Sequence, residues 1–254
     1  MNKKTNFKKE KALYMYGRHA TLEAIQNRPS TIKKLFLSGE IIKDQNFMRH
    51  VIKHKIVYTK LKNEETKAKV GGDATHQGII AEIQSSSLYT PLDEVIEQAK
   101  NITNPCIVVL DELQDPHNVG AIIRSAAAFG ALAVVIPEHN QAPVTGTVIK
   151  TSAGMVFRIP IVKVGNINHT LRTLKDELFV VSGLVMNGTT KLKDMKFDSP
   201  TVYIVGNESE GIRQKTLELC DITLSIPMDS RCESLNAATA ASVVLYEYSR
   251  NIIK

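Results

Sequence analysis

No apolar run in this 254-residue chain approaches the 18 or more residues that a membrane-spanning helix requires, so a soluble protein is expected. The basic start, with Lys3, Lys4, Lys8, Lys9 and Lys11, is not followed by the apolar core of a signal peptide, and secretion is not expected. Cysteine is scarce: Cys106, Cys220 and Cys232 are odd in number, far apart and outside any metal-ligand spacing. They read as free thiols of a reducing cytoplasm, with neither a disulfide framework nor a metal site. A G-x-G-x-x-G run is also missing, which argues against a Rossmann dehydrogenase and against Rossmann-type methyl transfer. No internal repeat is visible.

A hydrophobic content of 43% is enough for packed cores, and the length favours one large domain or two small ones. The net charge of +6 is modest, but its distribution is not. Residues 1–88 hold 17 Lys/Arg against 8 Asp/Glu, a balance of +9, whereas residues 89–254 hold 15 against 18, a balance of −3. The front of the chain carries the entire positive excess. Such asymmetry points to a module for a polyanion, with RNA or DNA the first candidates. A solvated lysine-rich surface is the alternative.

Residues 1–13 are polar and lysine-rich, and a disordered basic tail is expected there. Short patterned segments follow: a helix over 18–26, a strand over 32–37, a helix over 45–54 and strands over 56–59 and 78–84. This alternation predicts a small α/β sandwich over 14–88. Ser85, Ser86 and Ser87, then Asn104 and Pro105, interrupt the pattern, so 89–104 reads as a linker holding a short helix up to 99. Residues 106–110 form a continuous apolar run of the kind buried on both faces of a parallel sheet. Strands over 133–136, 159–162, 179–185, 202–205 and 222–226 alternate with helices over 119–129, 144–153, 167–178 and 234–250. The unit 105–254 is therefore expected to be α/β.

Two of those strands end in loops rich in Gly, Asn, Glu and Ser: GNESEG over 206–211 and PMDSRCESLN over 227–236. A third polar turn, DPHN over 115–118, precedes the helix that carries Arg124. Loops at the carboxyl ends of parallel strands are where an open α/β sheet places its ligands. Asp115 and Asn118 read as helix caps, whose exposed N–H groups attract anions. Arg124, six residues beyond Asn118, offers a charge-assisted bond to a phosphate. Gly206 removes a side chain where a ligand could approach the backbone. Ile226 and Leu235 offer apolar surface for a flat base, with plain core packing as the alternative. Glu208 is a candidate general base. Ser234 and Asn236 can cap the last helix and also bind a ribose.

These turns, in this order, resemble the three motifs of the SpoU (TrmH) family of SPOUT RNA methyltransferases. In that family the first motif supplies an Asn and an Arg, which fit Asn118 and Arg124. The second fits Gly206, Asn207, Glu208 and Gly211, and the third fits Pro227, Met228, Ser234, Leu235 and Asn236. The stretches YGRHATLEAI (16–25) and THQGIIAEI (75–83) are similar to the front domain of the family's ribosomal-RNA branch. The resemblance implies an α/β catalytic domain with a trefoil knot, behind a ribosomal-protein-like RNA-binding domain. It also implies S-adenosylmethionine as methyl donor, RNA as substrate, no metal, a cytoplasmic setting, and a homodimer whose subunits complete each other's sites. A guanosine of large-subunit ribosomal RNA is the implied target. A transfer-RNA enzyme, or an assembly factor that binds RNA without catalysis, are the alternatives.

By motif position, Gly206, Ile226, Leu235 and Met228 fall to the cofactor, with Thr151 and Gly154 in a further cofactor-side loop. Asn118, Arg124, Glu208, Ser234 and Asn236 fall to catalysis. Arg124 is expected to hold an RNA phosphate and polarise the ribose hydroxyl, because a guanidinium keeps its proton and makes a poor base. Glu208 is expected to orient Arg124 or to take the proton. One departure stands out: the family usually has Gly where this chain has Ser230. If that loop requires a positive φ, Ser230 is strained.

Overall fold

The computed structural model describes residues 12–62, 66, 69–70 and 76–252. They build two sheets. The first contains β1 (Leu13–Tyr16), β2 (Ile32–Leu37), β3 (Tyr58–Lys60) and β4 (Ile79–Ile83), in the order β1-β4-β2-β3. β4 runs antiparallel to both β1 and β2, while β3 lies parallel to β2 at the edge. Helices α1 (Arg18–Asn27), α2 (Gly39–Lys43) and α3 (Gln45–Lys53) cover this sheet. Ser38 and Asp44 start α2 and α3 by accepting the N–H groups of Ile41 and Phe47, which satisfies amides that a helix end leaves open. Of the expected basic tail, residues 1–11 lie outside the described residues, and Leu13 opens a strand.

The second sheet holds β5 (Cys106–Asp111), β6 (Ala133–Pro137), β7 (Ile161–Val164), β8 (Val180–Leu184), β9 (Thr190–Lys191), β10 (Thr201–Gly206) and β11 (Ile222–Ser225). Its order is β7-β6-β5-β10-β8-β11-β9, and every neighbouring pair is parallel. Helices α4 (Leu92–Ala99), α5 (Pro116–Ala128), α6 (Gly146–Thr151), α7 (Ile167–Asp176), α8 (Gln214–Leu217) and α9 (Ala237–Ile252) connect and cover it. β5 shows why the apolar run is continuous. Cys106, Val108 and Leu110 feed one apolar cluster, while Ile107 and Val109 feed another on the opposite face, as a period of two requires.

The stretch 89–104 differs from a free connector. Val95, Ile96 and Ala99 of α4 are buried in the second cluster, and the Thr90 N–H donates to the Ile161 carbonyl at 2.8 Å. The front sheet is docked as firmly on the other side. Met15, Ile25 and Leu37 share one cluster with Val108, Leu110 and Val148. Gly154, at φ +80, lies where a Cβ would come within 2.8 Å of Glu23 Cβ. Arg158 closes the same joint with two bonds from Nε and Nη2 to the buried Glu23 carboxylate.

The order of strands decides where a site can form. β10 lies between β5 and β8, and β8 lies between β10 and β11. The loops leaving β5, β10 and β11 therefore emerge along the same carboxyl edge, although the first is about a hundred residues from the other two in sequence.

Candidate active site

The GNESEG turn closes on itself. The N–H groups of Asn207 and Gly211 each donate to the other's carbonyl, at 2.9 and 3.0 Å. Asn207 Oδ1 accepts the Ser209 and Glu210 amides at 2.8 and 3.3 Å, while its Nδ2 donates to the Glu112 carbonyl at 2.8 Å. Gly211 takes φ +73, a conformation that L side chains rarely adopt. The reason for Gly206 differs from the expected one. A Cβ there would sit 2.2 Å from the Gly211 carbonyl carbon and 2.3 Å from the Ile212 nitrogen, so the space belongs to the folded turn rather than to a ligand.

Three side chains from three loops join into one chain of hydrogen bonds. Asn118 Nδ2 donates to Glu208 Oε1 at 2.9 Å, and Asn236 Nδ2 donates to Asn118 Oδ1 at 3.0 Å. Asn236 Oδ1 in turn accepts the Ala238 and Thr239 amides at 2.9 and 3.3 Å, which starts α9. Each amide is thereby fixed in orientation, since turning either one over would set oxygen against oxygen. Two cap assignments change as a result. Asp115 caps α5 through the His117 N–H, whereas Asn118 is buried inside the first turn; and α9 begins at Ala237, so Asn236 is its cap rather than Ser234.

Beside this chain lies a cleft of about 750 Å³, lined by Gly206, Glu208, Ile226, Met228, Ser234, Leu235 and Asn236. Leu184, Val185 and Met186, at the end of β8, supply an apolar wall that the motifs did not reveal. Ser230 is not among the described residues with positive φ, so the expected strain is absent.

Three expected residues lie elsewhere. Thr151 ends α6, and its hydroxyl donates to the Thr147 carbonyl at 2.9 Å while packing against Gly120 of α5. Gly154 belongs to the joint with α1. Arg124 is exposed and is bonded to no described residue, and Glu208 is held by Asn118 instead. Helical geometry explains this, because six residues turn the direction of a side chain by about 240°. With the Asn118 side chain turned to Glu208 and Asn236, Arg124 points in another direction within one subunit.

Sequence reading missed an ion pair behind the turn, between a buried acid and a largely exposed arginine. Asp111, fully buried at the end of β5, accepts from Arg213 Nε at 2.9 Å and from the Arg213 backbone N–H at 3.0 Å. Next to it, Glu112 takes φ 63, a costly conformation for a residue with a side chain, and offers the carbonyl that holds Asn207. An acid ending an apolar strand was the one signal present, but its partner a hundred residues away was not readable. Burial pushes the Cys220 thiol up to about 11 and raises that of Cys106 further. Neither is poised as a nucleophile.

A parallel sheet whose strand-end loops border a cleft, without a glycine-rich phosphate loop, fits the α/β fold of SPOUT methyltransferases. Residues 105–246 match the model of the SpoU rRNA methylase family, and residues 14–89 match that for RNA 2'-O ribose methyltransferase substrate binding. The chain belongs to the SpoU family of RNA methyltransferases. It is 31% identical over 242 residues to a protein of Nitrosomonas europaea named 23S rRNA (guanosine-2'-O-)-methyltransferase, covering 93% of this chain and 91% of that one. It is 33% identical over 239 residues to an uncharacterized tRNA/rRNA methyltransferase of Synechocystis, covering 93% of this chain but 62% of the relative's length. Among solved structures, the SpoU methyltransferase AviRb of Streptomyces viridochromogenes, in complex with AdoMet, superposes with a TM-score of 0.79. That match is at 23% identity and covers 94% of this chain and 90% of the other.

Proposed function

We propose that this chain methylates a ribose 2′-hydroxyl of RNA with S-adenosylmethionine, its target being a guanosine of large-subunit ribosomal RNA. The observation that carries the proposal is the hydrogen-bonded series Glu208, Asn118, Asn236 at the edge of a cleft lined by Gly206, Ile226, Met228 and Leu235. The substrate-binding match over 14–89 supports RNA, and the name of the Nitrosomonas relative supports the guanosine. Cytoplasmic location follows from such a substrate.

The cleft fits the cofactor. Its volume lies within the roughly 300–1,000 Å³ usual for ligand sites, and Leu184, Val185, Ile226 and Leu235 give apolar walls for an adenine and a thioether stem. When bound, the cofactor supplies an electrophilic methyl group. The residues of the chain do the rest. Asn118 fixes Glu208 through one oxygen, leaving Oε2 without a bond to any described residue and free to accept the hydroxyl proton. Asn236 fixes Asn118 and ties both to the start of α9.

Arg124 completes the site from a second subunit. It is exposed on α5, next to Ser125, whose hydroxyl bonds that of Ser242 on α9 at 2.7 Å. On the same helix Val243 and Tyr246 are 37% and 54% exposed, an apolar face suited to a two-fold interface. The partner subunit's Arg124 would hold an RNA phosphate and polarise the reacting hydroxyl. The trefoil crossing belongs to the same reading, with α9 returning over α5 after β11. A silent RNA binder is disfavoured, because Ser230 stands where no positive φ is required.

Mass-spectrometric mapping of ribose methylation in RNA from cells with and without the protein tests this reading. One 23S guanosine is expected to lose its methyl group. Loss at a transfer-RNA position instead would remove the proposed target, and no change in any RNA would remove the catalytic reading.

A further inference from the structure

Away from the cleft, a second surface calls for an explanation where α3 ends and β3 begins. Residues 45–63 contain Arg49, Lys53, Lys55, Lys60 and Lys62 and no Asp or Glu. None of these five cations is in an ion pair with a described residue. In the same stretch Ile52, Val57 and Tyr58 are 68%, 63% and 41% exposed. A purely solvated lysine face gives no reason to leave three large apolar side chains in water within seven residues, where each forfeits the gain of burial. All three residues of the edge strand β3 are exposed, and a groove lined by Ile42, Met48, Arg49, Ile52 and Lys53 runs along α2 and α3.

We propose that this face is a docking surface for an unpaired stretch of RNA, with Tyr58 stacking on a base and Lys53, Lys60 and Arg49 on the flanking phosphates. The proposal rests on the RNA-substrate reading and adds where on the front sheet the RNA lies. Charge complementarity selects the occupant: five cations in a stretch without an acid suit a chain of phosphates, and an exposed ring among them suits a splayed base.

Fluorescence anisotropy of the full-length protein with a labelled hairpin RNA, repeated across salt concentrations, tests the surface. The pair Lys53→Gln and Lys60→Gln is expected to make the dependence of log affinity on log salt shallower by about 1.4, at roughly 0.7 for each phosphate that is no longer neutralised. Tyr58→Ala is expected to weaken binding about tenfold at fixed salt, with an unchanged melting temperature. The control pair Lys193→Gln and Lys196→Gln, beyond the front sheet, should alter neither quantity. Unchanged slope and affinity in both test variants, with wild-type protein binding the RNA, would overturn the docking surface and leave the substrate reading intact. Failure of the wild type to bind any RNA would overturn both. Full RNA affinity in the variants together with loss of a cross-linked protein partner would mark a protein-binding face and likewise overturn the proposal.

Discussion

Gly206 shows how a single missing Cβ shapes this site. The turn from Asn207 to Gly211 folds back over it, and an added methyl group would meet backbone rather than a side chain able to move aside. Gly206→Ala is therefore expected to open the turn, release Glu208 from Asn118 and weaken cofactor binding at least about tenfold, or 1.4 kcal/mol. Isothermal titration checks this, and an affinity equal to wild type would show that the turn tolerates the methyl group. At this scale the sequence was partly readable. Asn118, Glu208 and Asn236 could be named because they fit the motifs of the resembled family, in polar turns that follow apolar strands. Their mutual bonds could not be read, nor could the Asp111–Arg213 pair, since both depend on which strands become neighbours.

Helix α9 depends on a residue that also serves the site. Asn236 Oδ1 holds the first amides of the helix, while Nδ2 holds Asn118. Asn236→Asp separates these tasks. The carboxylate still caps the helix, so the melting temperature should stay near wild type. It cannot donate to Asn118, so methyl transfer should fall ~10²-fold. Asn236→Ala, by contrast, should also lose about 1 kcal/mol of stability in a denaturant titration. Equal turnover in Asn236→Asp and wild type would show that the bond to Asn118 is not needed. The elements themselves were legible in proportion to their burial. β2 and α4 fall where apolar periodicity puts them, and β5 and β10 extend one residue or so beyond the expected runs. β1 was hidden by the lysine-rich start before it. The edge strand β3 lies a little later than expected, because its exposed residues carry no apolar pattern.

The whole molecule reads as two sheets welded together rather than two beads on a string. Met15, Ile25 and Leu37 merge with the large sheet's core, and the Arg158–Glu23 pair closes the joint. Thr151 and Gly154, expected beside the cofactor, serve this joint and the packing of α6 against α5. The sequence showed an α/β unit on either side of residues 89–104, but not that α4 in this segment is packed against the large sheet. An RNA held by the front sheet, as proposed, would therefore meet the cleft in one orientation. Among the described residues no Lys or Arg lines the cleft, and on the proposed reading Arg124, exposed on α5, would supply one only from a second subunit.

Methyl transfer by co-expressed Arg124→Ala and Asn236→Asp chains tests that account most directly. Each variant alone is expected to lose ~10²-fold in turnover while Arg124→Ala still binds S-adenosylmethionine. Mixed dimers pair an intact cleft with an intact arginine, so activity should return to about one quarter of wild type. A mixture no more active than its parents, or an Arg124→Ala enzyme at full turnover, would contradict it.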